Sequence, residues 1–319
     1  MTDLESLHDS LLLRRALSRV WLVSLAFSLA FLLTGCGLGS GSEAKAPFAA
    51  TEADIPPLPL DRYQLGTKEY ERLTQARHRL VQRCMVGFGY AEFPLDPKDP
   101  QRGMAALVSV LVSSSPFGML DLDDARRWGY GWDPKKSMEW KPKDRVMTEE
   151  EYGVVHGPGS GGAATIHGRK VPENGCSGEA DKQLIGGVKD STRMWSYVSG
   201  REHSLTGTEP RNGRIRQAWD TWSQCVVDKG LGRYQNPDKA FADKAWQRGS
   251  GGNTTRTERE LATATADVEC KRKHDTVRVW WEVRAEIQRA DVERNKATYE
   301  AVRRDLDVVR ANIRQALDE

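Results

Sequence analysis

The chain has 319 residues, enough for one large or two small domains, and its 47 Lys and Arg residues nearly balance its 45 Asp and Glu residues. Nothing in this balance suggests a nucleic-acid partner, which would favour a strongly basic surface. Mean hydropathy is negative, and after residue 33 no apolar run approaches the length that a membrane-spanning helix needs. We therefore expect a soluble body behind a short apolar segment.

That apolar segment has the organisation of an export signal. Three arginines within residues 14–19 precede an almost unbroken apolar run over 20–33. The run has the length of a signal-peptide core and is short for a bilayer span. Small residues, Thr34 and Gly35, then lead into Cys36.

This arrangement resembles the lipobox of bacterial lipoproteins, in which the cysteine receives a diacylglycerol group and the chain is cut just before it. The resemblance implies a signal peptide over 1–35 and a lipidated Cys36 as the first mature residue. It also implies a partner, the membrane, and a location on the extracytoplasmic face of the cell membrane. The alternative is a transmembrane anchor with an incidental cysteine.

Residues 36–61 are rich in Gly, Ala, Ser and Pro and predict a flexible tether between anchor and body. A helical body is predicted over 62–290. Its first helix starts near Thr67, where apolar residues recur every three or four positions, and ends at Gly87 or Gly89.

An irregular insertion is predicted over 93–175, because prolines break its beginning and glycines its middle. Its stretch HGPGSGGAATIHG, at 156–168, is typical of an exposed flexible loop. So long a connection is unusual in a compact domain, and we expect part of it to pack on the helices. Three tryptophans are the expected anchors: Trp128, Trp132 and Trp140.

Helical periodicity returns after Cys176, with an amphipathic helix over 213–229 and a stop at Gly230. From 256 to 319 there is neither Gly nor Pro, and one continuous helix would span about 95 Å at 1.5 Å per residue. This length predicts a coiled coil or a projecting arm. Its last part, 291–319, either docks on the body or meets a partner helix, and we favour the partner. The apolar stripe of that part comprises Val302, Leu306, Val309, Ile313 and Leu317.

Without Cys36, four cysteines remain, an even number for an oxidising compartment. Two disulfides are expected, and three connectivities are possible. A short internal similarity narrows the choice: aligning Cys84 with Cys225 also aligns Gly89 with Gly230 and an aromatic four residues beyond each glycine. Each helix is followed at a distance by another cysteine. The similarity predicts one disulfide in each half, Cys84–Cys176 and Cys225–Cys270.

Several short motifs together resemble a family of secreted or lipidated actinobacterial proteins. They are NGCSGEADKQL at 174–184, WSQCVVDKGL at 222–231, TADVECKRK at 265–273 and DLDDARRWGYG at 121–131. The likeness covers most of 62–290, although Val226 stands where relatives tend to carry Met. No biochemical activity is assigned to that family. The resemblance therefore implies location and disulfides, and it transfers no catalytic residue.

The sequence shows no catalytic, cofactor or metal motif. Pro158 interrupts a potential serine-hydrolase elbow at 157–161. His156 and His167 flank the glycine-rich loop, where a metal clamp is less expected than two solvated rings. Acidic clusters at 121–124 and 149–151 are typical of helix starts, where carboxylates favour the helix dipole.

Two tryptophans beside glycines, Trp128 and Trp132, are the candidate ligand contacts, because exposed indoles stack on sugars. The sequence thus predicts a mainly α, disulfide-bonded protein that is anchored by lipid at the cell envelope. It is expected to act by binding or scaffolding, with an envelope protein or a glycan as partner, rather than as an enzyme. One alternative is a peptidoglycan or glycan hydrolase with an unrecognised site in 93–175. The other is the solute-binding lipoprotein of a transporter.

Overall fold

The computed structural model describes residues 48–98, 117–131, 144–246 and 256–318. Within these ranges the chain is mainly α-helical, which confirms the predicted fold class, and its strands form a single two-stranded hairpin. The helices are α1 (Thr67–Gly87), α2 (Leu122–Trp128), α3 (Glu149–His156), α4 (Gly175–Leu184), α5 (Ser191–Thr206), α6 (Gly213–Asp228), α7 (Pro237–Phe241), α8 (Glu258–Lys273), α9 (Thr276–Arg294) and α10 (Lys296–Asp318). The strands are β1 (Thr165–Ile166) and β2 (Arg169–Lys170), paired antiparallel. None of the helices in these ranges combines the length and apolarity needed to cross a bilayer.

The helices pack around three clusters of buried side chains, one in the first half of the body and two in the second. The α1 half contains α1, α3, α4, α5 and α10, and its core includes Ala76, Met85 and Val154. The α6 half contains α2, α6, α7, α8 and most of α9, and its largest fully buried side chain is Trp222. Helix α9 joins the halves, because Trp280 packs in the second and Val292 in the first.

Each half contains one disulfide, and the predicted pairing is confirmed. Cys84 of α1 is bonded to Cys176 at the start of α4, with a Cα–Cα distance of 5.6 Å. Cys225 of α6 is bonded to Cys270 of α8, at 5.8 Å. Both distances lie within the range that a disulfide can bridge.

The C-terminal region is not one continuous helix. Helix α8 ends at Lys273, and Asp275 adopts a left-handed conformation (φ 51°) before α9 begins. A second break follows at Asn295, whose side chain donates to the carbonyl of Asp291. Asp is among the few residues other than glycine that enter this region easily, so the turn at Asp275 needs neither Gly nor Pro.

Helix α10 docks within the chain, which corrects our preference for a partner helix. Its apolar stripe faces α1, α4 and α5 and is almost fully buried. The stripe residues Val302, Leu306, Val309 and Ile313 are buried and Leu317 is half-buried, and Tyr299 and Ala316 are buried beside them. A stripe on one face of a helix is equally suited to a partner or to the body, and here the α1 half covers it.

The flexible tether predicted over 36–61 is wrong for residues 48–61, which lie on the helical body. The Leu60 amide donates to Oε1 of Gln288 at 3.1 Å, and Nε1 of Trp281 donates to the Pro56 carbonyl at 2.8 Å. Leu60 itself is completely buried. The composition of this Pro-rich segment is typical of a linker. Its scattered apolar residues nevertheless pack against helices that lie far away in sequence.

The glycine-rich stretch 156–168 is mostly exposed, as its composition predicts, but part of it has regular structure and close backbone contacts. It forms a short 3-10 turn and leads into β1. Gly162 approaches Gly153 of α3 so closely that a Cβ on Gly153 would lie 2.6 Å from the Gly162 Cα. The glycines serve here as contact points between backbones, since any side chain would separate them. Trp132 and Trp140 lie outside the residues that the structure describes.

Candidate functional site

The first candidate contact, Trp128, is the last residue of α2 and is half-buried. Its carbonyl accepts a hydrogen bond from Nε of Arg256. The chain then turns inward, because Tyr130 is 2% exposed and its ring meets the edge of Phe241 at 5.7 Å. The Trp128 segment is therefore largely built into the α6 half. The second candidate, Trp132, lies beyond the described ranges.

The acidic clusters begin helices, as predicted. Asp121 caps α2, and its carboxylate accepts from the amides of Asp123 and Asp124 at 2.9 and 2.8 Å. Thr148 caps α3 and accepts from the Glu151 amide, while Glu151 binds Arg145 through two hydrogen bonds. Hydrogen bonding to Arg145 lowers the pKa of Glu151. These carboxylates hold helix ends in place.

The two histidines beside the glycine-rich stretch are engaged separately. Nδ1 of His167 lies 2.7 Å from the Phe88 carbonyl at the end of α1, and the ring of His156 lies 4.4 Å from that of Tyr152. Among the residues that the structure describes, no three His, Cys, Asp or Glu side chains are grouped as a metal site would require.

A buried ion pair lies inside the α6 half. Nζ of Lys271 is 3.0 Å from Oδ2 of Asp267, and both side chains are 1% exposed. Nε1 of Trp222 donates to the same carboxylate at 3.0 Å, and Nζ of Lys271 also donates to the Met119 carbonyl at 3.1 Å. Burial raises the pKa of Asp267, and Lys271 and Trp222 oppose this rise. The cluster joins α6, α8 and the segment before α2.

A second buried pair links α9 to the segment between α5 and α6. Glu209 accepts from Nε of Arg284 and from Nε1 of Trp280, each at 2.5 Å. Both charged side chains are at most 5% exposed. The guanidinium also lies over the ring of Phe117, 5.7 Å from its centroid. Because Glu209 and Arg284 are buried and bond to each other, their charges are not presented to a substrate.

A third cluster joins α5, α9 and α10 in the α1 half. Asp291 is completely buried and accepts from Arg201, from the Tyr299 hydroxyl at 2.6 Å and from Nδ2 of Asn295 at 3.0 Å. Burial by itself raises the pKa of Asp291, but hydrogen bonds from Arg201 and Tyr299 outweigh it and hold the pKa below its ordinary value. The carboxylate is therefore kept charged inside the protein.

The strongest candidate for contact with a ligand is an exposed aromatic pair that the sequence reasoning missed. Tyr70 of α1 and Trp195 of α5 are 50% and 40% exposed, and their ring centroids lie 6.5 Å apart with planes tilted by 32°. We call these two residues the aromatic pair. A signal for Trp195 was present, because Met194 and Val198 mark the buried face of α5 and Trp195 falls outside it.

Ion pairs to α10 hold the two helices of the aromatic pair in position. Beside Tyr70, the Glu69 carboxylate accepts from Nε of Arg310 at 2.7 Å, and this hydrogen bond lowers the pKa of Glu69. Near Trp195, a guanidinium nitrogen of Arg193 lies 3.2 Å from the buried Asp305. Both helices are thus fixed to the same third helix, so the spacing of the two rings is set by the fold.

Comparison with protein-family models, with curated proteins and with solved structures finds no match to this chain.

Proposed function

We propose that this protein is a lipid-anchored protein of the bacterial cell envelope, related to the actinobacterial group that its motifs resemble, and that it acts by binding. The anchor is a diacylglycerol group on Cys36, after removal of residues 1–35. The observation that carries the proposal is the order of basic residues, apolar run and small residues that ends at Cys36, and only a short stretch of chain separates Cys36 from Phe48, the first described residue. The Phe48 ring packs 5.9 Å from that of Trp281, and the guanidinium of Arg278 lies 5.6 Å from its centroid.

The length of the intervening chain limits how far the body extends from the bilayer. Twelve residue steps reach about 40 Å when fully extended, and a flexible coil of that length has a root-mean-square span of about 20 Å. The much longer tether predicted from composition is shortened by the docking of residues 48–61. Lipidation at Cys36 would therefore hold Phe48, where the described body begins, within this distance of the membrane.

The anchor is tested by labelling producing bacteria with a palmitate analogue. Wild type is expected to incorporate the label and to have the mass of a chain beginning at Cys36. Cys36→Ala should lose the label and retain residues 1–35. Ser40→Ala, four residues further on, is the matched control and should behave like wild type. Labelling of Cys36→Ala at the wild-type level would refute the anchor.

Binding rather than hydrolysis is supported by how the buried carboxylates are used. Glu209, Asp267 and Asp291 each contact a basic side chain and a Trp or Tyr donor, whereas a glycosidase needs two carboxylates facing a cleft. We expect no clearing of purified cell wall in a zymogram. Clearing by wild type that is lost in the triple alanine variant of Asp121, Asp123 and Asp124 would instead support a hydrolase.

A further inference from the structure

The aromatic pair is unusual among the exposed side chains of this protein. Five large apolar residues in the described ranges are exposed, and Tyr70 and Trp195 are the two aromatic ones among them. An aromatic side chain offers 150–250 Å² for burial, so leaving about half of each in water forgoes part of that stabilisation. Both rings lie in mutual reach although their positions are 125 residues apart in sequence, 195 against 70. Their convergence thus follows from the tertiary fold.

The nearest neighbours of the aromatic pair along each helix face are uncharged, and most carry hydroxyls. On a helix, the residues three and four positions away are the surface neighbours of a side chain. For Tyr70 and Trp195 none of these neighbours is ionisable, and five carry hydroxyls: Thr67, Thr74, Ser191, Thr192 and Ser199. Four of the five are exposed, Ser191 being half-buried.

Two of the charged residues close to the aromatic pair are already paired within the chain. Glu69, the residue before Tyr70, binds Arg310, and Arg193, two residues before Trp195, lies against Asp190 and Asp305. A charged ligand such as an anionic lipid headgroup would have to compete with these pairs. A neutral ligand with an apolar face and a rim of hydroxyls would meet complementary groups without disturbing them.

We propose that Tyr70 and Trp195 form a stacking site for a sugar ring of a neutral glycan, with the flanking Ser and Thr hydroxyls bonding to its hydroxyl groups. The C–H face of a pyranose supplies the apolar surface for the rings. The proposal deepens the proposed function, because it rests on action by binding at the envelope and names the ligand class. It does not depend on lipidation of Cys36.

The test uses the full chain, purified in detergent, and its co-sedimentation with insoluble chitin and with insoluble cellulose. Wild type is expected to sediment with at least one of these neutral polymers and to be released by the matching soluble tetrasaccharide. Trp195→Ala and Tyr70→Ala should each weaken binding at least tenfold. Trp195→Phe, which keeps a ring, should retain most of the binding. Because both rings are exposed, the thermal unfolding midpoint should stay close to that of wild type.

Trp128→Ala is the matched aromatic control, and it also tests the ligand contact predicted from sequence. It should leave glycan binding unchanged. The proposal is overturned if neither polymer retains wild type, if Trp195→Ala binds as well as wild type, or if Trp128→Ala loses binding equally. It is also overturned if Trp195→Ala changes the oligomeric mass, measured by light scattering, without changing glycan retention, because the surface would then bind a second copy of this chain. The palmitate experiment does not depend on glycan binding. A negative glycan test would therefore overturn the stacking site and leave the proposed lipid anchor standing.

Discussion

The two cysteine helices, α1 and α6, end in the same way. After Cys84 the chain turns at Gly89 (φ 98°), and after Cys225 it turns at Gly230 (φ 79°). Two residues before each cysteine, a side chain donates to a carbonyl eleven residues ahead. Gln82 donates to Phe93 at 2.9 Å, and Ser223 donates to Tyr234 at 2.5 Å. The internal similarity of the sequence is therefore a repeated local structure.

What surrounds the two helix ends is different. The hairpin covers the end of α1, where Arg169 donates to the Gly87 carbonyl and His167 contacts that of Phe88. At the end of α6, Lys229 instead forms an ion pair with Glu269 of α8 at 2.7 Å, and a Cβ on Gly230 would meet nothing within 4 Å. Local sequence thus sets how a helix stops, and distant segments decide whether that stop is covered.

Removing the disulfides should have the largest effect on the free energy of unfolding, and the size of the loss should differ between the two halves. The Cys84–Cys176 bond closes a loop of 92 residues and Cys225–Cys270 one of 45. Chain entropy then predicts losses of about 4.6 and 4.0 kcal/mol in the free energy of unfolding for the two double alanine variants. Urea unfolding of the full chain measures both. A greater loss in the α6 half would show that native packing, rather than loop length, dominates.

The next largest effect is expected from removing the buried cations, and the loss of stability should differ between the two halves. Lys271→Met takes away the cation paired with Asp267 in the α6 half, leaves the hydrogen bond from Trp222, and should cost about 3–5 kcal/mol. Arg201→Met in the α1 half should cost less, about 1.5–3 kcal/mol, because Asp291 keeps a second cation, Arg294 at 3.7 Å, and its bonds from Tyr299 and Asn295.

The double variant Lys271→Met/Asp267→Asn is the control, and it should recover part of the loss because no charge is left buried. Chemical denaturation at pH 7.5 gives the order of the three variants. Equal costs for Lys271→Met and Arg201→Met would contradict the comparison.

The glycines at the two helix ends provide a smaller and sharper contrast. Alanine in a left-handed conformation costs roughly 1–2 kcal/mol at either site. At Gly89 the new Cβ would also lie 3.0 Å from Nδ1 of His167, whose contact with Phe88 is worth about 1 kcal/mol more. We expect Gly89→Ala to lower the thermal midpoint further than Gly230→Ala. In the background His167→Ala the difference should disappear, and its persistence would exclude the hairpin as the cause.

Protonation of one histidine in each half should have the smallest effect. Burial lowers the pKa of His78 in α1, with Asp96 opposing the shift and Arg77 adding to it, and burial together with Lys273 lowers the pKa of His274. Because both folded pKa values lie below the ordinary 6.5, stability is complete above that pH and falls as the pH drops through the window below it. His78→Gln and His274→Gln should each flatten this decline in urea midpoints between pH 7.5 and 5. An unchanged slope in both variants would contradict the assignment.

Sequence reasoning predicted the features that depend on neighbouring residues. The helix starts at 121–124 and 149–151, the glycine stop at Gly230 and the cysteine pairing all follow from local signals. Sequence reasoning failed where the conformation of a segment depends on the residues packed around it. A left-handed Asp275 splits the C-terminal helix, and residues 48–61 pack although their composition resembles a linker. The aromatic pair was missed because Tyr70 and Trp195 come together only when α1 and α5 both dock on α10.

The sequence by itself determined the helical class, the two disulfides and the ends of the cysteine helices, because these depend on periodicity, capping and a short repeat. Only the tertiary structure decided which apolar stripes are covered, which charges are paired and which aromatic rings remain in water. The apolar face of an amphipathic helix predicts that the face will be buried, but it does not predict what will cover it. Here α10 finds its partners within the chain, while Tyr70 and Trp195 stay exposed to solvent.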